Sequence, residues 1–234
     1  MKFNQEKIGR ICGMVLFSIM LLRQLYHFPA FNFGWVSFFR WSLVTILFGL
    51  FLFAYIKRAP AKELATKWND VLLPFFCAAL PFAIISGPEI IVGFQEHLPQ
   101  KVFDAIAMTF PLLGKKVNHW GLLLMAFGEV ITVIGMTSLK SSFSIATEAR
   151  TLVTRGLYRY IRHPLYCGEI LSVIGFALYF PCIWTIANAL LFSILQLLRA
   201  RNEENMLKRN FPYYEEYQKK TGFVTPKISI FFSA

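Results

Sequence analysis

The sequence predicts an all-α, polytopic integral membrane protein with five to six transmembrane helices, the last two forming a C-terminal hairpin flanked by polar segments. Three observations predict it. Of 234 residues, 56% are hydrophobic and 17% aromatic, while only 16% carry charge. The mean hydropathy is +0.51, beyond that of ordinary water-soluble domains, and disorder is excluded with them. The apolar residues also collect into runs of about 20, the length that crosses a hydrocarbon layer of about 30 Å. Finally, the net charge of +11 lies between those runs rather than on one face, so its partner is a membrane surface rather than nucleic acid.

The first run, Ile11 to Leu25, follows Lys2, Lys7 and Arg10 in the manner of a signal peptide. Tyr26, His27, Phe28 and Pro29 offer no small-residue cleavage site, so a retained first helix is expected. Trp35 to Ile56 forms the second, with Trp35 and Trp41 near an interface and Arg40 snorkelling to it. A third run, Val71 to Val92, holds Pro74, Pro81 and Pro88 and should be kinked or re-entrant. Lys101 to Gly114 contains Asp104 and Pro111 and suits an interfacial helix. Trp120 to Leu139 is a clean fourth span. Ile170 to Leu198 is too long for one straight crossing and holds Pro181, so it divides into Pro164 to Phe180 and Ile183 to Leu198.

Lys and Arg test this arrangement. Nineteen fall before the first span or within 57–70, 140–169 and 199–234, against three on the opposite side. Both termini and the 140–169 segment are therefore expected in the cytoplasm. The chain reads as one membrane domain, 1–139 carrying N-terminal spans and 140–234 the chemical core. Cys12, Cys77, Cys167 and Cys182 lack paired spacing, so free thiols are expected and no metal site is indicated.

Two polar blocks, 141–168 and 199–226, bracket the hairpin, which should bring them together. In the first, His163 precedes Pro164, which is preset for the first turn of a helix. The free N–H groups of that turn suit a carboxylate or phosphate, with Arg159 and Arg162 adding charge and Tyr166 a hydrogen-bonding group. A basic juxtamembrane loop capped by His163 would account for the same residues. In the second block, Arg199 and Glu203 share a helical face, as a surface ion pair also would. Glu203 and Glu204 directly follow an embedded stretch, where carboxylates are costly unless they meet a cation. A ligand with ammonium, hydroxyl and carboxylate groups matches both blocks. Tyr213, Tyr214 and Tyr217 fit an amphipathic surface helix or a pocket wall. Glu129, midway along the fourth span, fits either a functional group or a structural acid bonded to a neighbouring helix, and is left outside the site.

The pattern Gly-x-Tyr-x-x-x-Arg-His-Pro-x-Tyr-x-Gly (Gly156 to Gly168), a hairpin, and Arg-x-x-x-Glu-Glu-x-x-Leu (Arg199 to Leu207) resembles the isoprenylcysteine carboxyl methyltransferase family, within a superfamily that includes phospholipid N-methyltransferases. The resemblance extends over Leu139 to Pro226. It implies an S-adenosylmethionine pocket lined by Tyr158, Arg162, His163, Pro164, Leu165, Tyr166 and Gly168 and closed by Glu203 and Glu204. It further implies that Arg199 faces the acceptor, with Glu203 as the second catalytic candidate. Phe211 is followed by Pro212 where the family has a Phe-Gly pair.

The implied activity is methylation of the carboxylate of a prenylated cysteine or similar lipid-like acceptor, which needs orientation by Arg199 but no general base. A phospholipid amine or small thiol would instead need Glu203 or His163 as base. Nicotinamide-dependent sterol reductases share a similar His-Pro motif, and the prolines of the third run also suit a transporter. The implied partners are the bilayer and a lipophilic acceptor. The basic loops suit a bacterial inner membrane and an endoplasmic reticulum equally.

Overall fold

A computed structural model describes residues 2–26, 34–65, 70–81, 99, 101 and 118–227. Seven helices are present among them: α1 (Lys2–Tyr26), α2 (Trp35–Ile56), α3 (Asp70–Pro81), α4 (His119–Leu139), α5 (Pro164–Tyr179), α6 (Ile183–Asn210) and α7 (Tyr214–Lys220). Four of these are long and apolar enough to cross a membrane, namely α1, α2, α4 and α6, while α3 and α5 are shorter apolar helices. Large side chains such as Ile19, Leu190 and Ile194 face outward, as expected where the surrounding solvent is lipid. The protein is therefore a polytopic, all-helical membrane protein. The expected continuation of the third run to Val92, and the interfacial helix expected from Lys101 to Gly114, lie outside the described residues apart from Lys101.

The terminal hairpin forms at the expected place. Pro164 occupies the first turn of α5, and the chain reverses through Phe180, Pro181 and Cys182. Cys182 then caps α6 reciprocally with Thr185, satisfying N–H groups that would be orphaned at the far end of the bundle. Beyond Leu198, α6 continues unbroken to Asn210, carrying Arg199, Glu203 and Glu204 on one rigid rod that extends the apolar span.

Helices α4 and α5 meet backbone to backbone. Gly121, Gly128 and Gly135 recur every second turn of α4, and Gly168 and Gly175 do so on α5. A Cβ on Gly168 would collide with the carbonyl of Gly128 and the hydroxyl of Thr132. Between helices in lipid, where no hydrophobic drive distinguishes partner from solvent, such small residues permit the close van der Waals packing that holds them together.

The N-terminal helices pack over the start of the 143–153 segment. Phe17, Phe51 and Tyr55 surround Phe143, the Phe51 and Phe143 rings stacking at 4.7 Å. The Tyr55 hydroxyl accepts a hydrogen bond from the Ile145 N–H at 3.1 Å. Arg150, almost fully buried, reaches Glu6 of α1 at 3.1 Å and Glu148 at 2.7 Å, while Arg58 also binds Glu148 at 2.7 Å. Arg209 meets Glu63 at 2.9 Å. The start of α1, the segment after α2, residues 140–163 and the end of α6 thus share one end of the bundle, as the basic counts require.

One expectation is corrected. Arg40 does not merely snorkel to an interface: its Nη2 binds Glu129 Oε1 of α4 at 2.7 Å. Two costly charges inside the membrane offset one another across helices, and Glu129 takes the structural alternative, bonded to a neighbouring helix.

Candidate active site

The Arg-His-Pro segment owes its shape to three local constraints. Gly156 adopts φ of 63°, a left-handed conformation that a residue with a Cβ would resist, and starts the short 3-10 turn Gly156–Arg159. Residues 160–163 then run alongside the C-terminal segment. Gly222 N–H donates to Tyr160 O at 2.9 Å, Arg162 N–H to Gly222 O at 2.9 Å, and His163 N–H to Phe223 O at 3.1 Å. Pro164 finally sets α5 going. The segment is held as a strap between α5 and the tail, and it presents His163 inward, where the side chain is buried.

The Glu-Glu pair meets this strap from α6. Glu204 is buried and binds Arg162 Nε at 2.5 Å, while Gln218 donates to its other oxygen at 3.0 Å. His163 Nε2 lies 3.4 Å from Glu204, and Nδ1 lies 3.9 Å from Glu203. Arg162 further donates to the carbonyls of Gln218 at 3.2 Å and Thr221 at 2.5 Å. The Tyr166 hydroxyl donates to Glu203. Arg199 Nη2 donates to Ile145 O at 2.7 Å, and its guanidinium carbon stands 4.9 Å from the centre of the Tyr166 ring.

Two cavities meet at this cluster. The first is the more polar of the two and lies toward the loop end of the bundle; Tyr158, Arg162, His163, Leu165, Tyr166 and Glu203 line it, with Tyr214 and Tyr217 of α7 and residues from 142–153 as further walls. The second, about 220 Å³, lies between α1, α2, α3, α4, α5 and α6 and is mainly apolar; Arg199, Glu169, Gln196 and Glu129 are its charged or amide-bearing residues. Phe143 lines both. Six of the ten site residues expected from sequence therefore line the polar cavity, and Arg199 lines the apolar one.

The others stand behind these walls. Glu204 braces Arg162 and His163. Pro164 sets the helix start, and Gly168 permits the contact with α4 rather than lining the polar cavity. Arg162 contributes an edge, with Nε and Nη1 already engaged by protein. Tyr214 and Tyr217 take the pocket-wall alternative, whereas Tyr213 is exposed. Sequence reasoning missed the 143–153 wall, Glu169 and Gln196. Gln196 stands one turn before Arg199 on α6, a spacing that was available as a signal for a shared face.

Burial pushes the phenols of Tyr158 and Tyr217 above their usual range, so they act as neutral hydrogen-bonding groups. Tyr217 uses its proton on the Tyr158 carbonyl at 2.6 Å. His163 Nε2 and Tyr214 Oη, on residues that line the polar cavity, are turned toward Glu204, the first at 3.4 Å. The charged and phenolic groups of the wall suit a ligand carrying amino, carboxylate or hydroxyl groups.

Comparison with known proteins agrees with this arrangement. A phospholipid methyltransferase family profile matches residues 117–213. A protein-S-isoprenylcysteine O-methyltransferase from Dictyostelium discoideum is 31% identical over 185 residues, covering 69% of this chain and 70% of that protein. The chain belongs to the isoprenylcysteine O-methyltransferase family. A probable protein-S-isoprenylcysteine O-methyltransferase from Oryza sativa subsp. indica is 30% identical, over 57% of this family member and 71% of that protein. The nickel-cobalt-cadmium resistance protein NccN of Alcaligenes xylosoxydans xylosoxydans is 35% identical over 85 residues, and this family member spans only 40% of its length. The family profile covers both α4 and the Glu-Glu segment of α6.

Proposed function

We propose that the protein is an S-adenosylmethionine-dependent methyltransferase of the membrane that esterifies the carboxylate of a prenylated cysteine or a similar lipid-like acceptor. The observation that carries this reading is the junction of a polar and an apolar cavity at Tyr166, Phe143 and Arg199. A polar donor and a greasy acceptor need such adjoining compartments, one open to water and one to lipid.

His163, Tyr158, Tyr166, Leu165 and Glu203 would hold S-adenosylmethionine, with Arg162 and Glu204 supporting them. When bound, that cofactor would supply a methyl already activated by its sulfonium, for transfer to an acceptor oxygen. Positioning is the main task left to the protein. Arg199 keeps an acceptor carboxylate ionised and oriented by charge-assisted hydrogen bonding, so no general base is required. Glu203 is engaged by Tyr166, which suits a wall-forming role. The acceptor enters laterally between helices, its tail remaining in the apolar cavity. The loop end of the bundle, with both chain termini, faces the cytoplasm, in a bacterial inner membrane or an endoplasmic reticulum. Residues 140–234 form the cofactor-binding core within a single membrane domain.

The phospholipid methyltransferase profile favours a second reading, in which the acceptor is a phospholipid amine. Calorimetric titration of purified protein with S-adenosylmethionine, S-adenosylhomocysteine and reduced nicotinamide dinucleotide phosphate tests the class, with His163→Ala as control. Binding of the first two, weakened in the variant, is expected. Binding of the nicotinamide alone would move the protein to the reductases. Methyl transfer to a prenylcysteine or to phosphatidylethanolamine then separates the two acceptor readings.

A further inference from the structure

The wall formed by residues 143–153 is held from behind. Glu148 and Arg150 line the polar cavity; behind them stand Arg58, in the segment after α2, and Glu6 of α1, neither of which lines either cavity. Arg58 Nη2 donates to Glu148 Oε2 at 2.7 Å and to Ser144 Oγ at 2.6 Å. Ser144 Oγ and Arg150 Nη2 donate to the same carboxylate oxygen at 2.9 and 2.7 Å. Arg150 Nη1 in turn donates to Glu6 Oε1 at 3.1 Å, and the Ala61 N–H reaches that oxygen at 3.1 Å as well. Two arginines and two glutamates thus balance, and the Arg58 and Arg150 side chains are only 3% and 1% exposed. Main-chain hydrogen bonds repeat the link: Lys62 N–H donates to Ala149 O at 2.7 Å, and Ala149 N–H to Glu63 O at 3.0 Å. On its inner side the same segment offers the Ile145 carbonyl to Arg199 at 2.7 Å.

We infer that Arg58 and Glu6 are positioning residues for the donor site: through Ser144, Glu148 and Arg150 they fix where the 143–153 segment stands, and with it the shape of the polar cavity and the seat of Arg199. This rests on the reading of the polar cavity as the S-adenosylmethionine site. Charge supplies the mechanism. In a buried network, removing one partner leaves the other uncompensated, so Glu148 without Arg58 keeps a single cation and is drawn toward solvent on the side of the cavity it lines. Where several walls set a bound geometry at once, a shift of about 1 Å in one of them costs up to about a hundredfold. Arg58 and Glu6 both lie outside the 117–213 stretch that the family profile matches. The N-terminal helices therefore do more than anchor the chain in the bilayer, because they complete the donor site from behind.

The test uses full-length protein in bilayer nanodiscs, with S-adenosylhomocysteine titrated calorimetrically and backbone hydrogen exchange read over residues 143–153 without ligand. Arg58→Met should weaken S-adenosylhomocysteine about tenfold and speed exchange across that segment. Glu6→Gln keeps an acceptor for the Ala61 N–H but removes the charge facing Arg150, and should weaken binding about threefold. Arg58→Lys should return affinity to within about twofold of wild type, because one ammonium can serve the two oxygens that Nη2 serves now, whereas a residue needed only for packing would not be rescued this way. Thr185→Ala, which removes a cap of α6 at the far end of the bundle, controls for general destabilisation: its thermal midpoint should fall with affinity unchanged. Faster exchange with unchanged affinity in Arg58→Met, weaker binding with unchanged exchange, or a loss that Arg58→Lys fails to recover would overturn the positioning role and leave the proposed function standing. An equal loss of affinity in Thr185→Ala would do the same. Wild-type protein that binds no S-adenosylhomocysteine would overturn both.

Discussion

The guanidinium of Arg199 faces the Tyr166 ring at 4.9 Å, while the hydroxyl of that ring donates to Glu203. One aromatic side chain therefore stands between the two cavities and touches two of the three charged groups of the α6 motif, Arg199 and Glu203. The ring faces Arg199, which lines the apolar cavity, and the hydroxyl engages Glu203 in the polar one. Tyr166→Phe keeps the ring and releases Glu203. Donor affinity is expected to fall about tenfold, the order set by losing one charge-assisted hydrogen bond, and calorimetry with S-adenosylhomocysteine checks it.

Arg199→Lys separates binding from turnover. The planar fork that reaches the Ile145 carbonyl and stacks on Tyr166 is not reproduced by an ammonium. Donor affinity should stay within about twofold, while kcat falls roughly ten- to a hundredfold. A variant with full turnover would remove Arg199 from the acceptor site.

Gly168→Ala tests the α4–α5 contact. The added methyl meets the Gly128 carbonyl, which backbone geometry prevents from yielding. A loss of about 1–3 kcal/mol is expected, read as a lower thermal midpoint in detergent.

The Arg40–Glu129 pair predicts a double-mutant signature. Arg40→Leu strands a buried carboxylate and should destabilise by about 3–5 kcal/mol, whereas adding Glu129→Leu should restore most of it. Thermal unfolding of the two single variants and the double variant measures the coupling.

Tyr217 supplies a pH prediction. Its phenol is raised in the fold by burial, so the folded state holds that proton more tightly than the unfolded chain. Stability from this group is present below about pH 10, the unfolded value, and declines as pH rises through the folded value. Tyr217→Phe should flatten that alkaline decline in a denaturation series from neutral to alkaline pH.

The crossings, the hairpin and the placement of the Arg-His-Pro and Glu-Glu segments at one end were legible in the linear chain. Run length is matched to bilayer thickness, Pro164 and Pro181 punctuate α5 and α6, and the basic residues mark one side. These are local properties, and a membrane removes most alternatives to helix. His163, Tyr166 and Glu203 were legible because their spacing on adjoining helix ends brings them together once the hairpin closes.

Other features depend on which faces of distant helices meet. Gly168 serves the contact with Gly128 rather than the polar cavity, Glu204 braces Arg162, and Arg40 finds Glu129 across 89 residues of chain. The 143–153 wall is positioned by Phe17, Tyr55 and Glu6 of helices far away in sequence, and Glu169 faces Gln196 only because α5 and α6 pack in one rotational setting. Hydropathy alone determined the long apolar helices α1, α2, α4 and α6 and their order. The rotation of each helix about its axis, which decides whether a polar atom meets lipid, a partner or a cavity, was decided by tertiary packing of small residues and aromatic rings.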